Sequence, residues 1–165
     1  MFLVDSNILI EAKNRYYAFD IAPGFWEWLE NAYQQDLVCS IEAVRDELLK
    51  GNDELATWAS KNPVFFNSID QATTDHFSDL TTWATSGSYQ AEAINNFTGN
   101  NADYLLVAYA REHRHTVVTH ERSQPNSKKR ILIPDACSAM GVSTADTFQM
   151  MRKIGARLDW IGLKG

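Results

Sequence analysis

The chain has 165 residues, of which 45% are hydrophobic, and its formal net charge is −6. This length predicts a single domain, residues 1–165, and the high apolar content excludes intrinsic disorder, because burial of that surface offsets the entropy lost on folding. The acidic charge argues against general electrostatic binding to nucleic acids or anionic lipids, although it is compatible with a local basic strip.

Neither a membrane segment nor a secretion signal is expected from the sequence. No apolar run approaches the roughly 20 residues of a membrane-spanning helix. The opening residues, Met1–Asp5, lack a basic region and include an acid at once, unlike a secretion signal. Cys39 and Cys137 are too far apart for a metal or redox motif. We therefore expect a reduced, cytoplasmic protein.

Short apolar runs alternate with helical patterns along the chain. In chain order the sequence predicts a strand at 2–4, helices over 8–12 and 25–33, a strand at 36–39, a helix over 40–50, a helix and a short strand between 56 and 66, helices over 72–85 and 89–97, a helix from 101, strands at 116–119 and 131–133, and a helix over 145–154. Ser40 is a candidate helix cap, and Pro134 is expected to end the last strand. Strands interleaved with helices predict an α/β domain with a mostly parallel sheet.

Acidic side chains follow the predicted strands. Asp5 comes directly after the first strand, and Glu47 lies in the helix after the second. Asp103 is in the first turn of its helix, and Glu121 follows the strand at 116–119. Taken singly, the two aspartates could be helix caps and the two glutamates surface charges. Because ligands bind outside the carboxyl ends of parallel strands, we expect these four acids to converge at one edge of the sheet.

Such a cluster has a defined chemistry. Crowded carboxylates repel one another, and a cation between them lowers that cost. An oxygen-only site without cysteine or clustered histidine suits Mg²⁺ or Mn²⁺. These ions catalyse phosphodiester hydrolysis by activating water and stabilising charge on the phosphate. The pattern does not distinguish one bound metal from two.

The segment Phe2-Leu3-Val4-Asp5-Ser6-Asn7-Ile8-Leu9-Ile10 resembles the opening motif of the PIN-domain nucleases. An acid in the helix after strand two, Asn101-Ala102-Asp103 at a helix start, and an acid after a later strand follow in the order of that family. The resemblance spans roughly residues 1–135. Further details, such as Val118-Thr119-His120-Glu121, are similar to a PIN-like subgroup of uncharacterised bacterial proteins.

The resemblance implies a three-layer α/β/α sandwich with metal-dependent ribonuclease activity. Many relatives are toxins of toxin–antitoxin pairs, so an RNA substrate and an antitoxin partner are implied. Residue by residue, Asp5, Glu47 and Asp103 match the catalytic, metal-binding acids of the family. Ser6 and Asn7 match residues that support the first acid.

Two features differ from the family pattern. The fourth acid is usually aspartate, whereas Glu121 stands here, and Asp135 is an alternative fourth ligand; we favour Glu121 for the metal and catalytic role. The chain also continues beyond the last matched strand, and residues 136–165 form a predicted C-terminal helical extension. This extension either covers the sheet edge or forms a homodimer surface.

A basic stretch lies beside the proposed fourth acid. Between Arg111 and Arg130 there are six positive and two negative side chains. The residues in this stretch that we expect to contact RNA phosphates are Arg122, Lys128, Lys129 and Arg130. The alternative is an ordinary solvated loop between two elements.

Several other residues have both a functional and a purely structural interpretation. His120 could carry a proton at the acid edge, or could simply lie on the surface. An aromatic group could stack on RNA bases, although aromatic residues at helical spacing more often belong to a core. Its members are Tyr16, Tyr17, Phe19, Phe25, Trp26 and Trp28.

A metal-dependent endoribonuclease is the leading functional hypothesis. The alternative is a non-catalytic PIN-like module that acts through protein contact. A phosphatase with Asp5 as nucleophile is disfavoured, because Asn7 stands where the second acid of such enzymes is usual. Nucleotide-binding folds are disfavoured as well, because no strand is followed by a glycine-rich dinucleotide turn or a P-loop.

Overall fold

A parallel sheet forms the centre of the computed structural model, which describes residues 1–159. The strands of this part of the chain are β1 (Phe2–Val4), β2 (Val38–Ile41), β3 (Phe66–Asn67), β4 (Thr116–Val118) and β5 (Thr144–Ala145). Their order across the sheet is β3-β2-β1-β4-β5, and every neighbouring pair is parallel. This arrangement confirms the predicted α/β fold.

Helices connect the strands. They are α1 (Ser6–Glu11), a π-helical turn (Ala12–Tyr16), α2 (Pro23–Gln34), α3 (Glu42–Leu49), α4 (Glu54–Lys61), a 3-10 turn (Pro63–Phe65), α5 (Gln71–Thr74), α6 (Phe77–Ser86), α7 (Ala91–Phe97), α8 (Ala102–Glu112), α9 (Ile133–Ala139) and α10 (Thr147–Lys153). From β1 the chain first adds strands in one direction and later adds β4 and β5 in the other. Right-handed connections then put α1 to α4 on one face of the sheet and α8 and α9 on the opposite face.

The central strands are apolar on both faces. Leu3 and Val4 of β1 and Val117 and Val118 of β4 are fully buried. Helices cover a parallel sheet on both sides, so its strands have no face that requires polar residues. The charged residues are therefore confined to the ends of the strands, where the candidate site lies.

Three local predictions are wrong. Residues 131–133 are not a strand, because Ile133 begins α9 and Pro134 occupies its first turn, where the missing N–H and fixed φ of proline suit a helix start. Ser40 is not a helix cap. It lies in β2, fully buried, and its hydroxyl donates to the Val4 carbonyl at 2.7 Å. Ala145 belongs to β5 and not to the last helix.

The predicted C-terminal extension, residues 136–165, contributes a strand as well as helices. β5 pairs with β4 and forms one edge of the sheet, and α10 follows it. Residues 160–165 of this extension lie outside the described part of the chain. None of the helices within residues 1–159 is long and apolar enough to cross a membrane.

Candidate functional site

The candidate site lies where the chain order of the sheet reverses, between β1 and β4. Val4 pairs with Val118, so Asp5 and Thr119 come next to each other at the carboxyl ends of the two strands. The two strands lead into connections on opposite faces, which leaves a crevice at this edge of an α/β sheet. We call the carboxylates around it, Asp5, Glu47, Asp103 and Glu121, the acid edge.

Asp5 is the most deeply buried of these acids, with 1% of its surface exposed. Its carboxylate accepts hydrogen bonds from the Ser6 hydroxyl at 3.3 Å, the Thr119 hydroxyl at 3.4 Å and the Asn7 amide at 3.5 Å. All three contacts are long and therefore weak. Burial, followed by the negative charge of Glu121, raises the pKa of Asp5 to about 6.

Asp103 reaches the acid edge from the start of α8. The Asn101 side chain begins this helix by accepting hydrogen bonds from the backbone N–H groups of Asp103 at 2.8 Å and Tyr104 at 3.4 Å. Burial, then the charges of Asp5, Glu121 and Glu47, raise the pKa of Asp103 to about 7. The carboxylates of Asp5, Glu47 and Glu121 thus lie near enough to Asp103 to oppose its ionisation.

Glu47 and Glu121 complete the acid edge in different ways. Glu47 lies on α3, half-buried, and its charge raises the pKa of both aspartates. The Glu121 side chain is 12% exposed, forms an ion pair with Arg130 and accepts a hydrogen bond from the backbone N–H of Ile133 at 2.8 Å. Glu121 is therefore held by two donors, whereas the Glu47 side chain has no hydrogen bond or ion pair within residues 1–159.

Asp135, the alternative fourth ligand, has a different environment. It is buried, and it accepts hydrogen bonds from the Ser123 hydroxyl and from the Gln124 backbone N–H at 3.0 Å. Its charge is not among those that shift the pKa of Asp5 or Asp103. The Asp135 carboxylate holds the loop after Glu121 through these hydrogen bonds. Because Glu121 and not Asp135 acts on both aspartates, Glu121 is the better fourth member of the acid edge.

The oxygen atoms of the acid edge are of the chemical type that a divalent cation requires. Four carboxylates supply only hard oxygen ligands, the type that Mg²⁺ and Mn²⁺ prefer. As the side chains stand, however, no group of three or more His, Cys, Asp or Glu residues among residues 1–159 is arranged to hold a metal ion. The chemistry of the donors fits such an ion, and binding it requires these side chains to come closer together.

The basic loop, residues 122–130, lies next to the acid edge. It is fixed by a hydrogen bond from the Gln90 backbone N–H to the Lys128 carbonyl at 2.8 Å and by Asp135. Arg122, Lys128, Lys129 and Arg130 are all exposed. Arg130 also lowers the pKa of Asp103. The loop backbone is therefore held in place, and Arg130 is the cation that it brings against the carboxylates.

The remaining candidates fall into two groups. Phe25 and Trp26 are buried and belong to the core, whereas Tyr16 is 55% exposed. His120 is exposed, and its Nε2 lies 3.6 Å from a carboxylate oxygen of Glu11.

The sequence analysis did not identify Thr119, whose hydroxyl donates a hydrogen bond to Asp5. Its position directly after β4, level with Asp5 after β1, is the signal that could have found it.

Comparison with known proteins supports the fold. The family described as "Domain of unknown function (DUF4411)" matches residues 2–158. A chain of the crystal structure of VapBC2 from Rickettsia felis bound to a DNA fragment from their promoter is similar, with a TM-score of 0.55 and 16% identity over 88% of this chain and 97% of that chain. No curated protein matches the sequence. The parallel sheet and this likeness confirm the predicted PIN-like fold.

Proposed function

Since the chain belongs to the DUF4411 family, whose description names no activity, we propose a function from its site: a metal-dependent endoribonuclease that hydrolyses RNA phosphodiester bonds. The observation that carries this proposal is the acid edge, in which four carboxylates from separate elements lie close enough that the charges of Glu47 and Glu121 raise the pKa of Asp5 and Asp103. Like charges crowded at the ligand-binding edge of an α/β sheet are costly to stability, and their use is to hold a cation.

In this proposal Asp5, Glu47, Asp103 and Glu121 hold Mg²⁺ or Mn²⁺. Such an ion, when bound, activates water and stabilises charge on the phosphate. Ser6, Asn7 and Thr119 orient the carboxylate of Asp5 through their hydrogen bonds. The ion pair and the backbone N–H hold Glu121 in place.

The basic loop supplies the second requirement of a ribonuclease. An acidic protein repels RNA as a whole, so its affinity must come from local cations. We propose that Arg122, Lys128, Lys129 and Arg130 contact phosphates of the substrate. Contacts of this type position the chain of RNA without reading its sequence.

Cleavage assays on purified protein test the proposal. Asp5→Asn keeps the size and polarity of the side chain but removes its charge, and should slow cutting of labelled RNA in Mn²⁺ by at least about a hundredfold. Asp20→Asn, on an exposed aspartate, is the matched control and should cut as fast as the unmodified protein. An Asp5→Asn protein that cuts at the unmodified rate would show that the acid edge is not the active site.

A non-catalytic PIN-like module is the second candidate. It is favoured by the observation that no three potential ligands within residues 1–159 are prearranged for a metal. Calorimetric titration with Mn²⁺ separates the two functions. If the protein is a nuclease, Mn²⁺ binding should give a measurable heat signal, and Asp103→Asn should abolish that signal. A flat titration of the unmodified protein favours the module.

We further propose that the protein is the toxin of a toxin–antitoxin pair, acting on cytoplasmic RNA. The likeness to a chain of VapBC2 supports a protein partner, and a homodimer is also compatible with the proposal. Expression without a partner should arrest growth, and Asp103→Ala should relieve the arrest. Arrest that persists in Asp103→Ala would contradict a toxic nuclease activity.

A further inference from the structure

A cleft adjoins the acid edge on the side of β5. Its volume of about 510 Å³ is within the range of pockets that hold small ligands. The walls come from the π-helical turn, the residues after β4, and the segment that leads from β5 into α10. The lining residues that matter here are Tyr16, Thr119, Glu121, Arg122, Thr147 and Phe148; we call this surface the aromatic cleft.

The aromatic cleft is continuous with the acid edge. Thr119 lines the cleft and donates its hydroxyl to Asp5 at 3.4 Å. Glu121 also lines the cleft, and its charge raises the pKa of both Asp5 and Asp103. A polymer with one phosphate at the acid edge therefore has its neighbouring unit within reach of the cleft.

Two aromatic rings of the cleft are open to solvent. Tyr16 is 55% exposed and Phe148 is 50% exposed. By contrast Tyr17, which also lines the cleft, stacks on Phe25 with ring centroids 4.2 Å apart. Tyr16 is the last residue of a π-helical turn. This conformation is rare in proteins as a whole, and where it occurs it is often at a functional site. Exposed rings are stacking surfaces for unpaired nucleobases.

The cleft also contains a buried polar group without a partner. Thr147 is only 6% exposed, and its hydroxyl forms no hydrogen bond with any other residue in the range 1–159. Because this hydroxyl is closed to solvent, an occupant of the cleft meets instead the exposed polar residues of the lining, such as Arg122 and Gln149. The neighbouring Asp146 is already used, because it accepts the backbone N–H of Gln149 at 2.7 Å.

The chemistry of the cleft wall, taken as a whole, indicates its occupant. Arg122 lies at the cleft, and the guanidinium of Arg152 is 5.9 Å from the centroid of the Phe148 ring. Exposed rings, the Arg122 cation and an exposed amide side chain at Gln149 match a nucleotide, with its aromatic base, phosphate and polar edge. Polar and charged side chains make up much of the rest of the lining, which makes it a poor surface for an apolar protein helix.

Resting on the proposed nuclease function, we propose that the aromatic cleft binds an unpaired nucleobase adjacent to the scissile phosphate, with Tyr16 and Phe148 as its stacking surfaces. A base inside a duplex is stacked on its neighbours and cannot offer its face to Tyr16 or Phe148. The cleft thereby selects unpaired segments without reading a long sequence.

Binding measurements without cleavage test this inference. We would titrate the protein, in EDTA, into a short fluorescein-labelled single strand of RNA and into the same strand annealed as a duplex, following anisotropy. Tyr16→Ala and Phe148→Ala should each weaken binding of the single strand by about tenfold or more, and leave duplex affinity unchanged. Tyr16→Phe keeps the ring and should keep the affinity.

Ile21→Ala and Val64→Ala are the matched controls, because both side chains are exposed and neither lines the cleft. Unchanged affinity of Tyr16→Ala and Phe148→Ala for the single strand would overturn the inference, as would an equal loss for both RNAs. A cleft that serves a partner protein gives the first of these results. Binding in EDTA does not depend on cutting, so failure of the nuclease proposal is seen separately, in the Asp5→Asn cleavage assay.

Discussion

The acid edge differs from a cluster of aromatic residues in the same domain in what it contributes to stability. In the tryptophan cluster, which we define as Trp26, Trp58, Phe65 and Phe66, the Trp58 ring centroid lies 5.3 Å from Trp26 and 5.4 Å from Phe65. The indole N–H of Trp58 donates to Glu30 at 2.8 Å. Large apolar area, favourable ring geometry and a satisfied polar atom all stabilise the fold.

The acid edge lacks the stabilising contacts of the tryptophan cluster. Its carboxylates repel one another, and the hydrogen bonds to Asp5 are 3.3 to 3.5 Å long. A region that lowers stability persists where activity requires it. Substitutions in the two regions should therefore change the free energy of unfolding in opposite directions.

The largest effect is expected in the tryptophan cluster. Trp58→Ala removes a buried ring and should lower the free energy of unfolding by about 3–5 kcal/mol, because the remaining cavity cannot fully collapse. Urea denaturation measures the change. Val64→Ala, on a side chain that is 64% exposed, is the control and should change stability little. A loss of similar size in both variants would remove the distinction between the regions.

Substitution at the acid edge should stabilise the protein. The pKa of Asp103 is about 7 in the folded state, against 3.8 for an ordinary aspartate, so the folded protein binds the extra proton and loses stability as pH rises from about 4 to 7. Asp103→Asn cannot ionise, so it should be more stable at pH 8 by about 1–3 kcal/mol, with almost no gain at pH 4. Chemical denaturation at both pH values checks this.

A gain for Asp103→Asn that is the same at pH 4 and pH 8 would show that repulsion between carboxylates is not its cause. Asp20→Asn, on an exposed residue, should show no gain at either pH.

A bound divalent cation should offset the loss of stability that the crowded carboxylates of the acid edge cause. Adding Mn²⁺ well above its dissociation constant should stabilise the unmodified protein by about 1–3 kcal/mol, because the ion binds the folded state alone. Thermal unfolding with and without Mn²⁺ measures the shift. Asp5→Asn should lose most of it, and Asp20→Asn should keep it. An equal shift in both variants would place the bound ion elsewhere.

The smallest expected effect concerns Arg130. Its side chain is 64% exposed, so Arg130→Gln should change stability by less than about 1 kcal/mol. The same change should reduce the salt dependence of RNA binding by about one phosphate contact. Affinities measured over a range of salt concentrations test this, with Lys61→Gln, an exposed cation on α4, as the control. An unchanged slope would separate Arg130 from the RNA surface.

The sequence predicted the acid edge because two of its residues carry strong local signals. Asp5 follows an apolar run that is too short for a helix, and Asp103 follows Asn101, a good helix cap. Both signals depend only on neighbouring residues. The parallel order of the strands then brings distant acids to one edge, which is a general property of α/β sheets.

The errors arose where local pattern is ambiguous. Ile131 and Leu132 are buried like strand residues, but they only lead into α9, and Pro134 is compatible with either interpretation. β5 has two residues, too few for any alternation to show. The aromatic cleft was beyond sequence reasoning, because Tyr16 and Phe148 come from distant parts of the chain and meet only through the fold.

The position of β1 at the centre of the sheet has a consequence for biosynthesis. Its residues leave the ribosome before those of β4, which are translated only after much of the domain. Until then Asp5 has neither Thr119 nor Glu121 beside it, and its carboxylate stays in open water. For an enzyme that cuts RNA, this order of assembly would keep the nascent polypeptide harmless to the message that encodes it.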